Sequence, residues 1–142
     1  MMMRILRGVS GSGKSIMAAE MPQAVVVSAD DFFMVDGKYQ FDVTKLGDAH
    51  GSCFRRAIEA LQAGKDLVVD NTNCSVVEVA PYMLLAQAFG AETEIVRINC
   101  DPVVALARNT HGVPAKAIAA MAKALEEPLP LWYPPERVVE AK

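Results

Sequence analysis

Histidine is almost missing from this chain, and cysteine and aromatic residues are scarce. With only His50 and His111 and three scattered cysteines, Cys53, Cys74 and Cys100, there is no CxxC pair and no cluster with zinc-ligand spacing. An odd number of separated cysteines reads as reduced thiols and points to a cytoplasmic setting rather than a disulfide framework. No apolar run approaches the roughly 20 residues that cross a bilayer, so no membrane partner is expected. The opening MMMRIL lacks the long apolar stretch of a secretory leader, in keeping with the cytoplasmic expectation. Basic excess is absent too: 14 Lys+Arg stand against 17 Asp+Glu, a net charge of −3. A broad basic face for gripping a nucleic-acid backbone is therefore not expected, and any such substrate has to be held locally.

What is present is an ordinary globular composition, 52% hydrophobic and 22% charged over 142 residues, which predicts one domain with one core. Four short apolar runs read as buried strands: Met3 to Gly8, Ala24 to Ala29, Asp66 to Asn71 and Glu94 to Asn99. Helical patterns lie between them. Lys14 to Met21 follows the first strand. Phe54, Ala57, Ile58 and Leu61 recur at helical spacing before a natural stop at Gly64. The segment from Val76 repeats the plan up to Gly90, with Pro81 marking a kink or a late first turn. A short helix is expected after Cys100, broken at His111-Gly112-Val113 and resumed with Pro114 at its first position. Strands alternating with helices predict an α/β fold, a parallel sheet of about four strands with helices on both faces. The stretch from Asp36 to Leu46 is irregular and reads as a surface loop. Residues 128–142, rich in proline, read as an extended tail packed on a domain of residues 1–127.

The informative stretch is GVSGSGKS, Gly8 to Ser15, which satisfies Gly-x4-Gly-Lys-Ser. Glycines in such a loop let backbone N–H groups turn inward around phosphates. Lys14 supplies a point charge, the Ser15 hydroxyl is a magnesium ligand, and the following helix directs its positive end at the same anion. The loop follows an apolar strand and opens a helix, as a P-loop requires. The nucleotide-binding set is thus Gly8, Ser10, Gly11, Ser12, Gly13, Lys14, Ser15 and Ile16, and the expected ligands are ATP, with GTP as an alternative, and Mg²⁺.

In an open parallel sheet, ligands sit beyond the carboxyl ends of the strands. The second strand ends there in SADDFF and the third in VVDNTN. Asp30 and Asp31 are adjacent, so in an extended chain they point to opposite sides. One can face the phosphate and accept a proton from an acceptor hydroxyl. The alternative is that both cap the next segment. Asp70, Asn71, Thr72 and Asn73 offer four polar side chains at a strand exit, either for substrate or as a plain turn.

GVSGSGKS, SADDFF, VVDNTN and RNTHGVP occur in this order, and over about Met3 to Leu125 the chain resembles the polynucleotide-kinase-like P-loop proteins of the AAA_33 type. The resemblance implies a P-loop NTPase fold with a helical lid at about residues 101–126. It implies Asp30 as general base and Arg108 as a lid arginine contacting the nucleotide and stabilising the transferring phosphoryl group, with Lys14 as the third catalytic residue. Two positions depart from the phage kinase pattern. Phe33 stands where that family member has an arginine for the acceptor's phosphate. His111 stands in place of a second lid arginine, as a weaker charge stabiliser or a helix cap. Trp132 and Tyr133 either stack a base or pack the tail.

The function expected is ATP-dependent transfer of the γ-phosphate to a hydroxyl of a polynucleotide or nucleoside, with Asp31, Asp70, Asn71, Thr72, Asn73 and His111 near the acceptor. A small-molecule kinase and a nucleotide-gated binding module with slow ATPase are the alternatives.

Overall fold

The computed structural model describes residues 1–141. Five strands form one parallel sheet: β1 (Met2–Arg7), β2 (Val25–Val27), β5 (Leu67–Asp70), β6 (Glu92–Asn99) and β7 (Glu136–Glu140). Two short strands, β3 (Met34–Val35) and β4 (Lys38–Tyr39), pair as a separate antiparallel hairpin. The helices are α1 (Lys14–Ala18), α2 (Leu46–Gln62), α3 (Val76–Phe89), α4 (Pro102–Arg108) and α5 (Ala115–Ala124).

Strand order is β2-β5-β1-β6-β7. The chain leaves β1, passes beyond β5 to form β2, then returns to fill the gap before crossing to β6. The order reverses around β1, so the loop leaving its carboxyl end lies at the topological switch point where such sheets bind ligands. Alternation along the strands builds two layers. Met3, Ile5, Leu67, Val69 and Ile95 pack with Cys53, Ala57 and Leu61 of α2 and with Val79, Met83 and Ala86 of α3. Leu6, Val68, Val96 and Ile98 face the other way, onto Met17 and Ala18 of α1. Each fully buried aliphatic side chain contributes about 1.5–3 kcal/mol, so the central strands anchor both layers.

Helix ends follow local chemistry. Ser75 caps α3 by accepting from the Glu78 N–H, and Gly90 ends it at φ 66°. Pro81 lies inside α3 without ending it. The backbone bond it cannot donate would go to Val77, a residue 81% exposed, so water can serve that carbonyl. Pro114 is the N-cap residue of α5, one position earlier than expected.

Two expectations change. The sheet has five strands because part of the proline-rich segment joins it: β7 runs parallel to β6 with Ile95 opposite Glu136 and Asn99 opposite Glu140. Its ERVVE sequence follows Pro134-Pro135, which holds the chain extended as it enters the edge. The irregular stretch after Asp36 begins as a hairpin, since Asp36 (φ 51°) and Gly37 (φ 77°) both take the left-handed backbone of a tight two-residue turn. No helix among the described residues is long and apolar enough to cross a membrane.

Candidate active site

At the end of β1 the loop Gly8–Gly13 wraps toward α1. Gly11 and Gly13 have φ of 85° and 90°, where side chains are disfavoured. A Cβ at Gly11 would also lie 2.1 Å from the Ala105 carbonyl oxygen, so α4 rests directly on the loop. Lys14 is half-buried and its Nζ donates to the Val9 carbonyl at 3.1 Å. Burial pushes its pKa down, opposed chiefly by the Asp70 carboxylate. The Ser15 hydroxyl donates to Asp70 Oδ2 at 3.1 Å. Burial pushes the Asp70 carboxyl up, opposed by Lys14 and by the Ser15 hydrogen bond.

After β2 the chain enters a 3-10 turn, Ala29–Phe33, capped by Ser28, whose hydroxyl accepts from the Asp30 N–H. Neither aspartate caps it with its own side chain. Asp30 and Asp31 lie on a tight helical turn rather than an extended strand, yet they still take different partners. Asp31 pairs with Arg56 at 3.1 Å, and Arg56 also donates to the Ser28 carbonyl. Asp30 accepts from the Tyr39 hydroxyl at 3.1 Å through Oδ1, while Oδ2 lies 3.5 Å from His111 Nδ1. Phe33 is in the core at 3% exposure and does not face the cleft.

The residues after β5 divide. Asp70 and Thr72 line the cleft. Asn71 lines it as well, but its amide is engaged: Oδ1 accepts from the Ala29 N–H at 2.8 Å and Nδ2 donates toward Cys53 Sγ. Asn73, expected beside the acceptor, lies outside. It is buried at φ 46°, and Nδ2 donates to the Leu6 carbonyl at 2.8 Å, fastening the turn to β1. Arg7, fully buried, holds the same turn through the Asn73 and Cys74 carbonyls.

α4 and α5 pack with Val9 through Ala105 and Ile118. Between them Asn109 donates to the Val113 carbonyl and accepts from the His111 N–H, shaping a turn that contains Gly112 at φ 70°. Arg108 lines the cleft from the end of α4, and His111 lies beside it. Trp132 remains half exposed and Tyr133 is buried against the core, so the ring pair serves packing at Tyr133.

Together these groups enclose a cleft of about 680 Å³ that brings Ser10, Gly11, Gly13, Lys14, Ser15 and Ile16 to one side and Asp30, Asp31 and Tyr39 to the other. Gly8 and Ser12 support the loop from beneath: a Cβ at Gly8 would lie 2.7 Å from Ser12 Oγ, and Ser12 is buried. The sequence profile of the AAA_33 family, described as an AAA domain, matches residues 3–128. The chain belongs to this family. Human NEDD4-binding protein 2 is 36% identical over 126 residues, covering 82% of this chain and 7% of that protein. Among solved structures, a chain of the Pnkp1/Rnl/Hen1 RNA repair complex superposes with a TM-score of 0.73 at 20% identity, covering 88% of this chain and 44% of that one. A gluconokinase from Sinorhizobium meliloti 1021 gives 0.61 at 18% identity, covering 97% and 81%. This AAA_33 chain therefore has a kinase-like P-loop fold, and it spans less than half the length of the first two of these relatives.

Tyr39 is the site residue that sequence reading missed. The Asp36-Gly37 pair signals the hairpin that carries it, but nothing local connects its ring to residue 111.

Proposed function

We propose that this protein is a magnesium-dependent phosphotransferase that moves the γ-phosphate of ATP to a hydroxyl of a polynucleotide or nucleoside. The observation that carries this reading is that Asp30 opens into the cleft lined by Lys14, Ser15 and Arg108, with one carboxylate oxygen not hydrogen-bonded to Tyr39. The P-loop backbone and Lys14 would hold the β- and γ-phosphates. Ser15 and Asp70 are hard oxygen donors of the kind Mg²⁺ takes alongside phosphate and water, and two protein oxygens suffice for such a site. Bound there, the ion would neutralise charge on the phosphates.

Transfer then follows from the chain's own groups. Asp30 accepts the acceptor's hydroxyl proton while the acceptor oxygen bonds to the γ-phosphorus and the bond to the β–γ bridging oxygen breaks, leaving ADP. Lys14 and Arg108 share the developing charge.

A small-molecule acceptor is the second reading. The arginine expected to grip an acceptor phosphate is replaced by Phe33 in the core, and Arg56 is already paired with Asp31. Radiolabelled ATP offered with oligonucleotides, nucleosides and sugars tests both. Label on one acceptor class, lost in Lys14→Ala, is expected. ATP binding without any labelled acceptor would sink the phosphotransferase reading and favour a nucleotide-gated binding module.

A further inference from the structure

Tyr39 touches both halves of the cleft. Its ring stacks on His111 with centroids 4.0 Å apart and planes 14° apart. Phe33 meets it edge-on at 6.1 Å, fixing it against the core. Its hydroxyl donates to Asp30 Oδ1 at 3.1 Å. His111 arrives from the opposite element, on the turn between α4 and α5 that Asn109 shapes. The 3.5 Å from His111 Nδ1 to Asp30 Oδ2 is longer than an ordinary N–H···O bond. The carboxylate therefore has one oxygen held by the Tyr39 hydroxyl and the other beside His111 without a hydrogen bond to it.

We propose that Tyr39 is a positioning residue that couples the lid to Asp30: its ring receives His111 as the lid closes, and its hydroxyl holds Oδ1 and leaves Oδ2, beside His111, as the oxygen for the acceptor. The role of Asp30 as base rests on the phosphotransferase reading; the coupling itself does not. A ring stacked on His111 and tethered through its hydroxyl is not a free platform for an acceptor base. Its work is to bring a lid residue and a carboxylate into one arrangement that neither the lid nor the 3-10 turn reaches alone. Burial and the Asp30 charge push the Tyr39 phenol up to about 12, which keeps it a donor at neutral pH.

Tyr39→Phe and Tyr39→Leu separate the two contacts. Tyr39→Phe keeps the stack and loses the hydroxyl. It should lower kcat roughly tenfold to a hundredfold, the scale of a misaimed reacting group, with KM for ATP unchanged. The imidazole proton resonances of His111, distinguished from those of His50 with His50→Gln, report the stack directly. They should lie upfield of their unfolded-chain positions in the wild type and in Tyr39→Phe, and return toward those positions in Tyr39→Leu. His111 resonances indifferent to Tyr39→Leu would overturn the coupling. An unchanged kcat in Tyr39→Phe would overturn the positioning of Asp30. If the wild type labels no acceptor, the phosphotransferase reading falls, and the His111 resonances decide the lid coupling by themselves.

Discussion

Ser15 and Asp70, fifty-five residues apart in the chain, meet through a hydrogen bond of 3.1 Å at the floor of the cleft. The contact joins the start of α1 to the exit of β5, brought together because β5 pairs directly with β1, whose loop leads into α1. It sets two side-chain oxygens beside Lys14. If they hold Mg²⁺, Asp70→Asn should raise the Mg²⁺ concentration needed for half-maximal turnover and lower kcat/KM on the order of a hundredfold, since a carboxylate is replaced by a neutral ligand. Stability should not fall, because burial already disfavours the Asp70 charge. Magnesium titrations of turnover, with thermal melts of both proteins, check this. An unaltered Mg²⁺ dependence would remove Asp70 from the metal site.

The two neighbouring aspartates should behave differently. Asp30→Asn should retain ATP affinity and lose most of kcat, because proton acceptance is what it removes. Asp31→Asn breaks the half-exposed pair with Arg56, a contact of about 0–1 kcal/mol, and its effect on transfer should be milder. Greater loss of transfer in Asp31→Asn, with folding intact, would reverse the assignment of the base.

Arg108 has no carboxylate within ion-pair distance among the described residues, while it lines the cleft at the end of α4. An exposed guanidinium next to the P-loop is suited to charge that grows in the transition state. Arg108→Lys should therefore lower kcat about a hundredfold or more, on the scale such arginines contribute, with a smaller change in ATP binding. Steady-state kinetics with ATP titrated reads both quantities. Full turnover in Arg108→Lys and Arg108→Ala would exclude the lid arginine from the chemistry.

Arg7 ties three parts of the fold together. Its guanidinium, with 1% side-chain exposure, reaches Glu136 of β7 at 2.6 Å and the carbonyls of Asn73 and Cys74. Removing it leaves the Asn73 and Cys74 carbonyls without this donor and Glu136 with Arg97 alone, at 3.4 Å. Arg7→Ala should destabilise the protein by about 3–5 kcal/mol, the usual cost of breaking a buried pair from one side. Urea unfolding measures it. A loss below 1 kcal/mol would mean that β7 and the β5 exit are held without this residue.

The P-loop was legible because its requirements are local. Positive φ at Gly11 and Gly13 and a lysine and hydroxyl at the helix start are written in eight consecutive residues. The alternation of apolar runs and helical stripes likewise predicted a parallel α/β sheet, since periodicity reports which face each element buries. The Asp36-Gly37 turn is just as local, but it lies inside a stretch with no other periodic signal. β7 was hidden for another reason: five residues after a proline-rich run carry little strand signal until β6 offers them an edge.

The sequence by itself determined that a triphosphate loop follows the first strand, that acidic and amide residues end the next two, and that a broken helix carrying Arg108 comes after the fourth. Only the tertiary structure decided their partners. It turned Asn73 away from the cleft toward Leu6, paired Asp31 with Arg56, and left Asp30 between Tyr39 and His111. The physical reason is range. Backbone dihedrals and hydrophobic period are set within a few residues, whereas a contact between positions 30, 39 and 111 depends on strand order, on the hairpin's placement and on the packing of α4 over Gly11, which no single segment encodes.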